Sequence, residues 1–349
     1  MRAVLLRGHG GPEQLEYRED VPVPAPAAGE VRLRVAAAAV NNTDVNLRIG
    51  WYSRAVDRDA DPQAYLGAAT AEDAGWAGDA LAFPRIQGAD ACGYVDAVGA
   101  GVDPGRVGER VLVDPVIRSP SGPPRYLGSD IPGTFAEFVC VPADNAVPIA
   151  SDWSDAELAS FPCSYLAAEN LLTRAAVGAG EAVLITGASG GVGSAAVQLA
   201  RRRGARAIAL AGSSKSAALE ALGAARVLAR DADLVAVLGE ESLDAVVDVV
   251  GGSAFPSLLA ILRRGGRYAV AGAIAGPIVR LDLRTVYLKD LSLLGCTIPA
   301  PGLFSRLVGY IERREIRPVV GATYPLRDLA AAQAAFQAKA HVGKIAVIL

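Results

Sequence analysis

Leu184-Ile185-Thr186-Gly187-Ala188-Ser189-Gly190-Gly191-Val192-Gly193 is the stretch that decides the fold. An apolar run, Ala182 to Gly187, leads into it, and an amphipathic segment, Val192 to Arg203, leaves it. Glycines let the backbone turn tightly and approach a pyrophosphate without Cβ clashes, while a helix N-terminus offers free N–H groups to that anion. The spacing Gly187-xx-Gly190-xx-Gly193, with an extra Gly191, is not the GxGxxG form, and a glycine-rich string alone could be an ordinary loop. With a strand before it and a helix after it, the string reads as a dinucleotide-binding turn.

Which dinucleotide it takes is read from the end of the next strand. A ribose with free hydroxyls calls for an acidic residue about 20 residues on. The corresponding stretch, Leu210-Ala211-Gly212-Ser213-Ser214-Lys215, has no Asp or Glu. Serine hydroxyls and a lysine suit a 2′-phosphate, so NADPH is the expected cofactor. Ser213 could also cap the following helix and Lys215 could be solvated, and both readings are compatible with that role.

Outward from this turn, strands and helices alternate. Strands are expected at 207–211, 226–228, 243–250 and 267–271, with helices at 192–203, 214–222 and 254–262. Strands this apolar between amphipathic helices imply a parallel sheet covered on both faces. Ser154 to Arg174 reads as a helix with acids early, as an N-terminus prefers. Residues before about Ala150 are instead short strands (1–6, 31–40, 93–98, 110–113) broken by Gly and Pro at 22–29, 99–108 and 120–124. The tail holds helices over 303–314 and 326–340 and an apolar strand from Lys344 to Leu349. A terminal strand needs a sheet to join, and the β-rich first module is the natural host. The organisation expected is a catalytic domain, 1–150 plus 297–349, with a nucleotide domain, 151–296, inserted into it.

Composition narrows the function. The chain of 349 residues is 52% hydrophobic and 20% charged with a net charge of −3, so it can bury sizeable cores and has no electrostatic pull towards nucleic acid or acidic membranes. Arg201 to Arg203 suit the C-terminal end of a helix dipole. No apolar run approaches the roughly 18 residues of a membrane span, and the N-terminus is too short in its apolar part for a secretory signal, so a cytoplasmic protein is expected. Four scattered cysteines (92, 140, 163, 296) with no CxxC pair fit a reducing compartment, and two histidines leave little from which to build a zinc site.

These residues resemble the medium-chain dehydrogenase/reductase superfamily, and within it the zinc-free, quinone oxidoreductase-like branch. Asn41-Asn42-Thr43-Asp44 with Arg48, Gly50 and Tyr52 is similar to that branch's N-x-x-D…R-x-G-x-Y segment. Pro84 to Gly93, Val98 to Val102, Val107 to Val111, Thr186 to Gly193 and His341 to Ile345 follow in the family's order. The resemblance implies a Rossmann doubly wound parallel sheet inserted into a GroES-like β-barrel catalytic domain. Zinc-dependent relatives carry Cys where Asn41 stands and His-Glu where Ala89-Asp90 stands; Cys163 looks like the remaining ligand position, and the region 114–133, comparable to a structural zinc lobe, has no cysteine. Metal-free chemistry is therefore expected.

Without a Lewis acid, simple alcohols and ketones become harder substrates. Hydride added to a double bond conjugated to a carbonyl gives an enolate, which needs only hydrogen-bond donors and a proton. Reduction of an enone, enal or quinone is the leading expectation. The resemblance puts Asn41 and Asp44 near the nicotinamide, although Asn41 could be a plain turn residue. Tyr52 could donate the proton or be buried structurally, with Tyr126 and Tyr165 as weaker candidates. Arg48 either orients Asp44 through a charged bond or forms a surface ion pair. Cofactor contacts are expected from Gly187, Ser189, Gly190, Gly191, Val192, Gly193, Ser213, Lys215, Val250, Gly251, Ala273, Ile274 and Lys344. The long insert between Tyr52 and Phe83 is expected to cover the substrate cleft. The apolar edge Leu291 to Cys296 suggests a homodimer. The rival readings are a metal-free carbonyl reductase and a non-catalytic nucleotide- or RNA-binding family member, the latter disfavoured for RNA by the acidic balance.

Overall fold

The computed structural model describes residues 1–53, 74–76, 78, 80–119 and 122–349. The chain divides into two compact units, one of residues 1–163, 304–313 and 318–349, the other of 164–303 and 314–317. Among the described residues no helix is long and apolar enough to cross a membrane.

The first unit opens with β1 (Ala3–Leu6), β2 (Leu15–Arg18), β3 (Glu30–Ala39), α1 (Asn42–Ile49), β4 (Arg85–Ile86), β5 (Cys92–Val98) and β6 (Arg110–Val113). It continues through β7 (Val116–Ser119), β8 (Gly122–Tyr126), β9 (Phe138–Pro142), β10 (Ala146–Pro148), α2 (Asp155–Leu158) and the start of α3 (Pro162–Arg174). The second unit then carries β11 (Ala182–Ile185), α4 (Gly191–Arg202), β12 (Arg206–Ala211), α5 (Ser216–Leu222), β13 (Arg226–Ala229), α6 (Leu234–Leu238) and β14 (Leu243–Asp248). It closes with α7 (Phe255–Ala260), β15 (Leu262–Val270), α8 (Leu283–Leu288) and β16 (Ser292–Gly295). The chain ends in α9 (Leu303–Glu312), β17 (Val320–Pro325), α10 (Leu329–Ala338) and β18 (Lys344–Ile348).

The hub of the first unit is β3. Its Val31, Leu33 and Val35 point into one core while Arg32 and Arg34 point out; from Ala37 onward it is buried on both sides. It pairs antiparallel with β5, β9 and β18, and the sheet runs β10-β6-β5-β3-β18-β17. The C-terminal strand thus joins the N-terminal sheet, as its apolar sequence requires. A smaller sheet, β2-β1-β4, and a β7–β8 hairpin complete this β-rich unit.

The second unit is a six-stranded, wholly parallel sheet in the order β13-β12-β11-β14-β15-β16. The central strand β11 is buried at every residue, and α7 packs Phe255, Leu258 and Leu259 into a core with Leu184, Val246 and Tyr268. This is a Rossmann-like parallel sheet.

Two local expectations are corrected. The single helix over 154–174 is two helices, because Ser154 and Glu157 close a capping box on α2 and Pro162, which has no N–H to donate, starts α3 afresh. The helix expected to 262 stops at Ala260, and Leu262 already begins β15, beside β14.

Candidate functional site

In the second unit, β11 delivers Thr186 to the turn. Gly187 sits at φ +56°, and Gly190, N-cap of α4, donates its N–H to Gly187 O at 3.0 Å. A Cβ on Gly193 would lie 2.3 Å from Gly187 O, so only glycine lets α4 start this close to the strand end. Gly191, Val192 and Gly193 form the first turn of α4, whose N–H groups have no acceptor within the helix and are of the kind an anion can use.

A short helical turn over Ser213–Lys215 follows β12. The Lys215 ammonium donates to Ser189 Oγ at 3.3 Å. This links the glycine turn to the loop from which a 2′-phosphate ligand set was expected. Arg230, which sequence reasoning missed, belongs here too. Ala211 and Ala229 are register partners in β12 and β13, so the residues that follow them emerge side by side. Burial and then the Arg230 guanidinium lower the Lys215 ammonium below its ordinary value.

Val250 and Gly251 follow β14 in a turn bonded to the Ala273–Gly276 turn after β15: the Ala275 N–H donates to Val250 O at 2.8 Å, and the Gly252 N–H to Gly276 O at 3.1 Å. Ile274 in that turn is 46% exposed. The structure therefore brings Val250, Gly251, Ala273 and Ile274 together. Tyr165, also in this unit, donates its hydroxyl to Arg317 O at 2.6 Å and accepts from Gln198 at 2.9 Å, so its hydroxyl is engaged.

In the first unit, Asn41 is the N-cap of α1 and its side chain joins a buried polar cluster. Its amide donates to Asp90 Oδ2 at 2.8 Å and to Ala39 O at 3.3 Å, and its carbonyl accepts from the Lys344 ammonium at 2.5 Å. Asn41 therefore bonds to more than backbone. Lys344 pairs with Asp90 at 2.8 Å, and the other Asp90 oxygen accepts from the Cys163 N–H at 2.6 Å. Cys163 Sγ lies 2.9 Å from the Tyr126 hydroxyl, and Tyr126 stacks on Trp76 with ring centroids 4.8 Å apart. Burial pushes the Cys163 thiol up to about 12, and it pushes the Tyr126 phenol well above its usual range.

Asp44 closes the start of α1, accepting from the Asn41 N–H at 2.7 Å and the Gly88 N–H at 3.2 Å. Burial raises its carboxyl to about 7. Tyr52 lies beyond the C-terminus of α1 in a small apolar cluster with Leu47, Ala74, Leu81 and Phe83. Its hydroxyl accepts from Asn46 at 3.4 Å, and burial raises its phenol. Asn41, Asp44 and Lys344 are brought together, while Tyr52 bonds to Asn46. Arg48 corrects both readings given to it: it neither touches Asp44 nor lies at the surface. Its buried guanidinium donates to Gln333 at 2.9 Å, Gly10 O at 2.9 Å and Gln337 at 3.3 Å, tying α1 to α10. Most of the insert expected to cover the substrate, residues 54–73, 77 and 79, lies outside the described residues.

The donor set does not fit a catalytic zinc. Where thiolate, imidazole and carboxylate ligands would stand are the Asn41 amide, the buried Ala89 methyl and an Asp90 already neutralised by an ammonium, and burial disfavours the Cys163 thiolate. Among the described residues no group of three or more His, Cys, Asp or Glu side chains could hold a metal.

Comparison with known proteins agrees with this architecture. The family described as "Alcohol dehydrogenase GroES-like domain" matches residues 27–151, and that described as "Zinc-binding dehydrogenase" matches 191–313. The chain is 28% identical to the quinone oxidoreductase of Rattus norvegicus, covering 100% of this chain and 98% of the relative. It is also 28% identical to the acryloyl-coenzyme A reductase of Metallosphaera sedula, covering 99% of each. A Sinorhizobium meliloti crystal structure, provisionally assigned as an alcohol dehydrogenase, superposes with a TM-score of 0.90 at 50% identity, covering 100% of this chain and 96% of that one. The chain belongs to the medium-chain dehydrogenase/reductase superfamily, in its quinone oxidoreductase-like branch.

Proposed function

We propose that the chain is a cytoplasmic, homodimeric, NADPH-dependent reductase that adds hydride, without a metal, to a quinone or to a carbon–carbon double bond conjugated to a carbonyl. Residues 151–296 would form the nucleotide domain, inserted in a catalytic domain of 1–150 and 297–349 whose main sheet closes as a GroES-like barrel. One observation carries the chemistry: the Lys344 ammonium holds Asp90 and Asn41 where zinc-dependent relatives place metal ligands. Simple ketones are poor hydride acceptors without a Lewis acid, whereas a conjugated double bond passes the charge to its own carbonyl oxygen.

Gly187, Gly190, Gly191, Val192 and Gly193 bind the pyrophosphate. Ser189, Ser213 and Lys215 take the 2′-phosphate, and Val250, Gly251, Ala273 and Ile274 flank the nicotinamide half. When bound, reduced nicotinamide supplies the hydride. Addition at the β-carbon breaks the C=C π bond and leaves an enolate, which the Tyr52 hydroxyl stabilises before it gives its proton to the α-carbon, while Asn41, its amide held by Asp90 and Ala39, shapes the wall beside it. Asp44 and Lys344 hold Asn41 in place. A phenol raised above its ordinary pKa stays protonated at neutral pH, as a donor must. Four free cysteines agree with a reducing compartment. The edge strand β16 and the exposed Leu283 (68%) and Tyr287 (62%) are the surface offered for a homodimer.

The test is NADPH oxidation by the purified chain over a panel of enones, enals and quinones, with the product identified. Saturated carbonyls or hydroquinones support the reading. Alcohols from the same enones would favour direct carbonyl reduction, the reading suggested by the likeness to an alcohol dehydrogenase assignment. No NADPH oxidation with any acceptor would leave a nucleotide-binding protein without this activity.

A further inference from the structure

Asp248, the last residue of β14, has no exposed surface. Only donors face its carboxylate: Thr186 Oγ1 at 2.5 Å, the Val250 N–H at 2.8 Å, the Gly251 N–H at 3.1 and 3.2 Å, and the Tyr268 hydroxyl. No cation pairs with it among the described residues. Burying an unpaired anion is costly unless hydrogen bonds hold it, and four donating groups do so here.

What those donors belong to gives the carboxylate its role. Thr186 immediately precedes Gly187, the first residue of the phosphate turn, and its hydroxyl also accepts from the Val249 N–H at 3.1 Å. Thr186 and Asp248 therefore hold three successive N–H groups, of residues 249, 250 and 251. Gly251 sits at φ +65° and ψ −148°, backbone that only glycine tolerates and that persists when its surroundings fix it. The same run is bonded to the 273–276 turn. One buried side chain thus ties together the ends of β11 and β14 and, through them, the loop after β15.

We infer that Asp248 is a positioning residue for the nucleotide, fixing the turns at 250–252 and 273–276 against the phosphate turn that begins at Gly187. This rests on the reading that those turns hold the cofactor. Tyr268 separates positioning from stability: it donates to the same carboxylate from β15, and among the described residues its hydroxyl makes no hydrogen bond to the backbone of either turn.

The experiment measures NADPH binding by fluorescence, beside thermal unfolding without nucleotide, for the full chain and for Asp248→Asn, Thr186→Val and Tyr268→Phe. Asn can accept from the loop N–H groups with only one oxygen and turns an amide towards donors. Asp248→Asn is expected to weaken NADPH binding tenfold or more, and Thr186→Val by a smaller factor. Tyr268→Phe should bind within twofold of the parent despite a lowered unfolding midpoint. Parent-like binding by Asp248→Asn overturns the inference, as does equal weakening by Tyr268→Phe. If Asp248→Asn does not fold, Thr186→Val decides by the same criterion. A parent chain that fails to bind NADPH at all sinks the cofactor reading itself, whereas binding by the parent and by every variant sinks only the role of Asp248.

Discussion

Lys344 Nζ lies 2.8 Å from Asp90 Oδ2 with the two side chains 2% and 0% exposed, a buried ion pair that also fixes the Asn41 carbonyl. Removing one partner of such a pair strands the other charge, which costs about 3–5 kcal/mol, whereas removing both is far milder. Lys344→Met should therefore lower the unfolding midpoint strongly, and Lys344→Met with Asp90→Asn should recover most of the loss. Because water and salt do not reach the pair, the loss should be the same in dilute salt and in about 0.5 M salt, roughly three times physiological ionic strength. A double variant no more stable than the single would show that Asp90 is not the residue left uncompensated.

The ends of β12 and β13 yield a prediction about cofactor choice. Lys215 and Arg230 emerge from neighbouring parallel strands, with no carboxylate between the end of β12 and Lys215 and with Arg230 directly after the end of β13. A charge-assisted bond to phosphate is worth about 1.5–3 kcal/mol, and the exposure of Arg230 puts it at the lower end. Arg230→Ala should weaken NADPH binding about tenfold, leave NADH binding unchanged, and reduce the salt dependence of NADPH binding. Titrating both nucleotides against the parent and the variant decides it; equal losses for the two would place Arg230 outside the 2′-phosphate site.

The glycine turn after β11 was legible because its geometry is local: the residues from Thr186 to Gly193 contain the strand exit, the tight bend and the helix start. The parallel sheet was legible for the same reason, since each strand and helix announces its own period. Lys344 and Asp90, 254 residues apart, meet only because β18 pairs with β3, and nothing in either neighbourhood names the other. Arg48 misled because it lies four residues after Asp44 on one helix, yet its long side chain reaches α10, which the sequence places almost 300 residues away. Asp248 fell inside the strand expected over 243–250 and was not singled out, because its donors come from three separate segments. Tertiary partner choice, not element type, was what the residues alone did not carry.

Asp44 makes stability depend on pH in the unusual direction for a carboxyl. Its folded value is raised, to about 7, mainly by burial, so between its ordinary unfolded value and 7 the folded state binds more protons than the unfolded one. Stability from this group is then present at low pH and lost as pH rises through that window, by a few kcal/mol, on the order of 4 at most. Asp44→Asn should flatten the fall in unfolding midpoint between pH 5 and pH 8, whatever its effect at a single pH. A variant with the parent's slope would assign the dependence to another group.

Tyr52 is where stability and turnover separate. Its hydroxyl accepts from Asn46 at 3.4 Å, a long bond, and has Thr43 as a second side-chain partner, both at the margin of the site, so Tyr52→Phe should fold like the parent. If the phenol gives up its proton to the enolate, the variant should lose turnover by about 10²–10⁴-fold while the Michaelis constant moves much less. The parent's raised phenol should also keep turnover level as pH climbs from 7 towards 10, with the decline beginning only above that. Tyr126 offers the contrast: its hydroxyl is already engaged with Cys163 and its ring with Trp76, so Tyr126→Phe should mainly disturb packing and substrate binding. Steady-state rates for both variants across that pH range separate the two phenols, and undiminished turnover in Tyr52→Phe would pass the proton to solvent water.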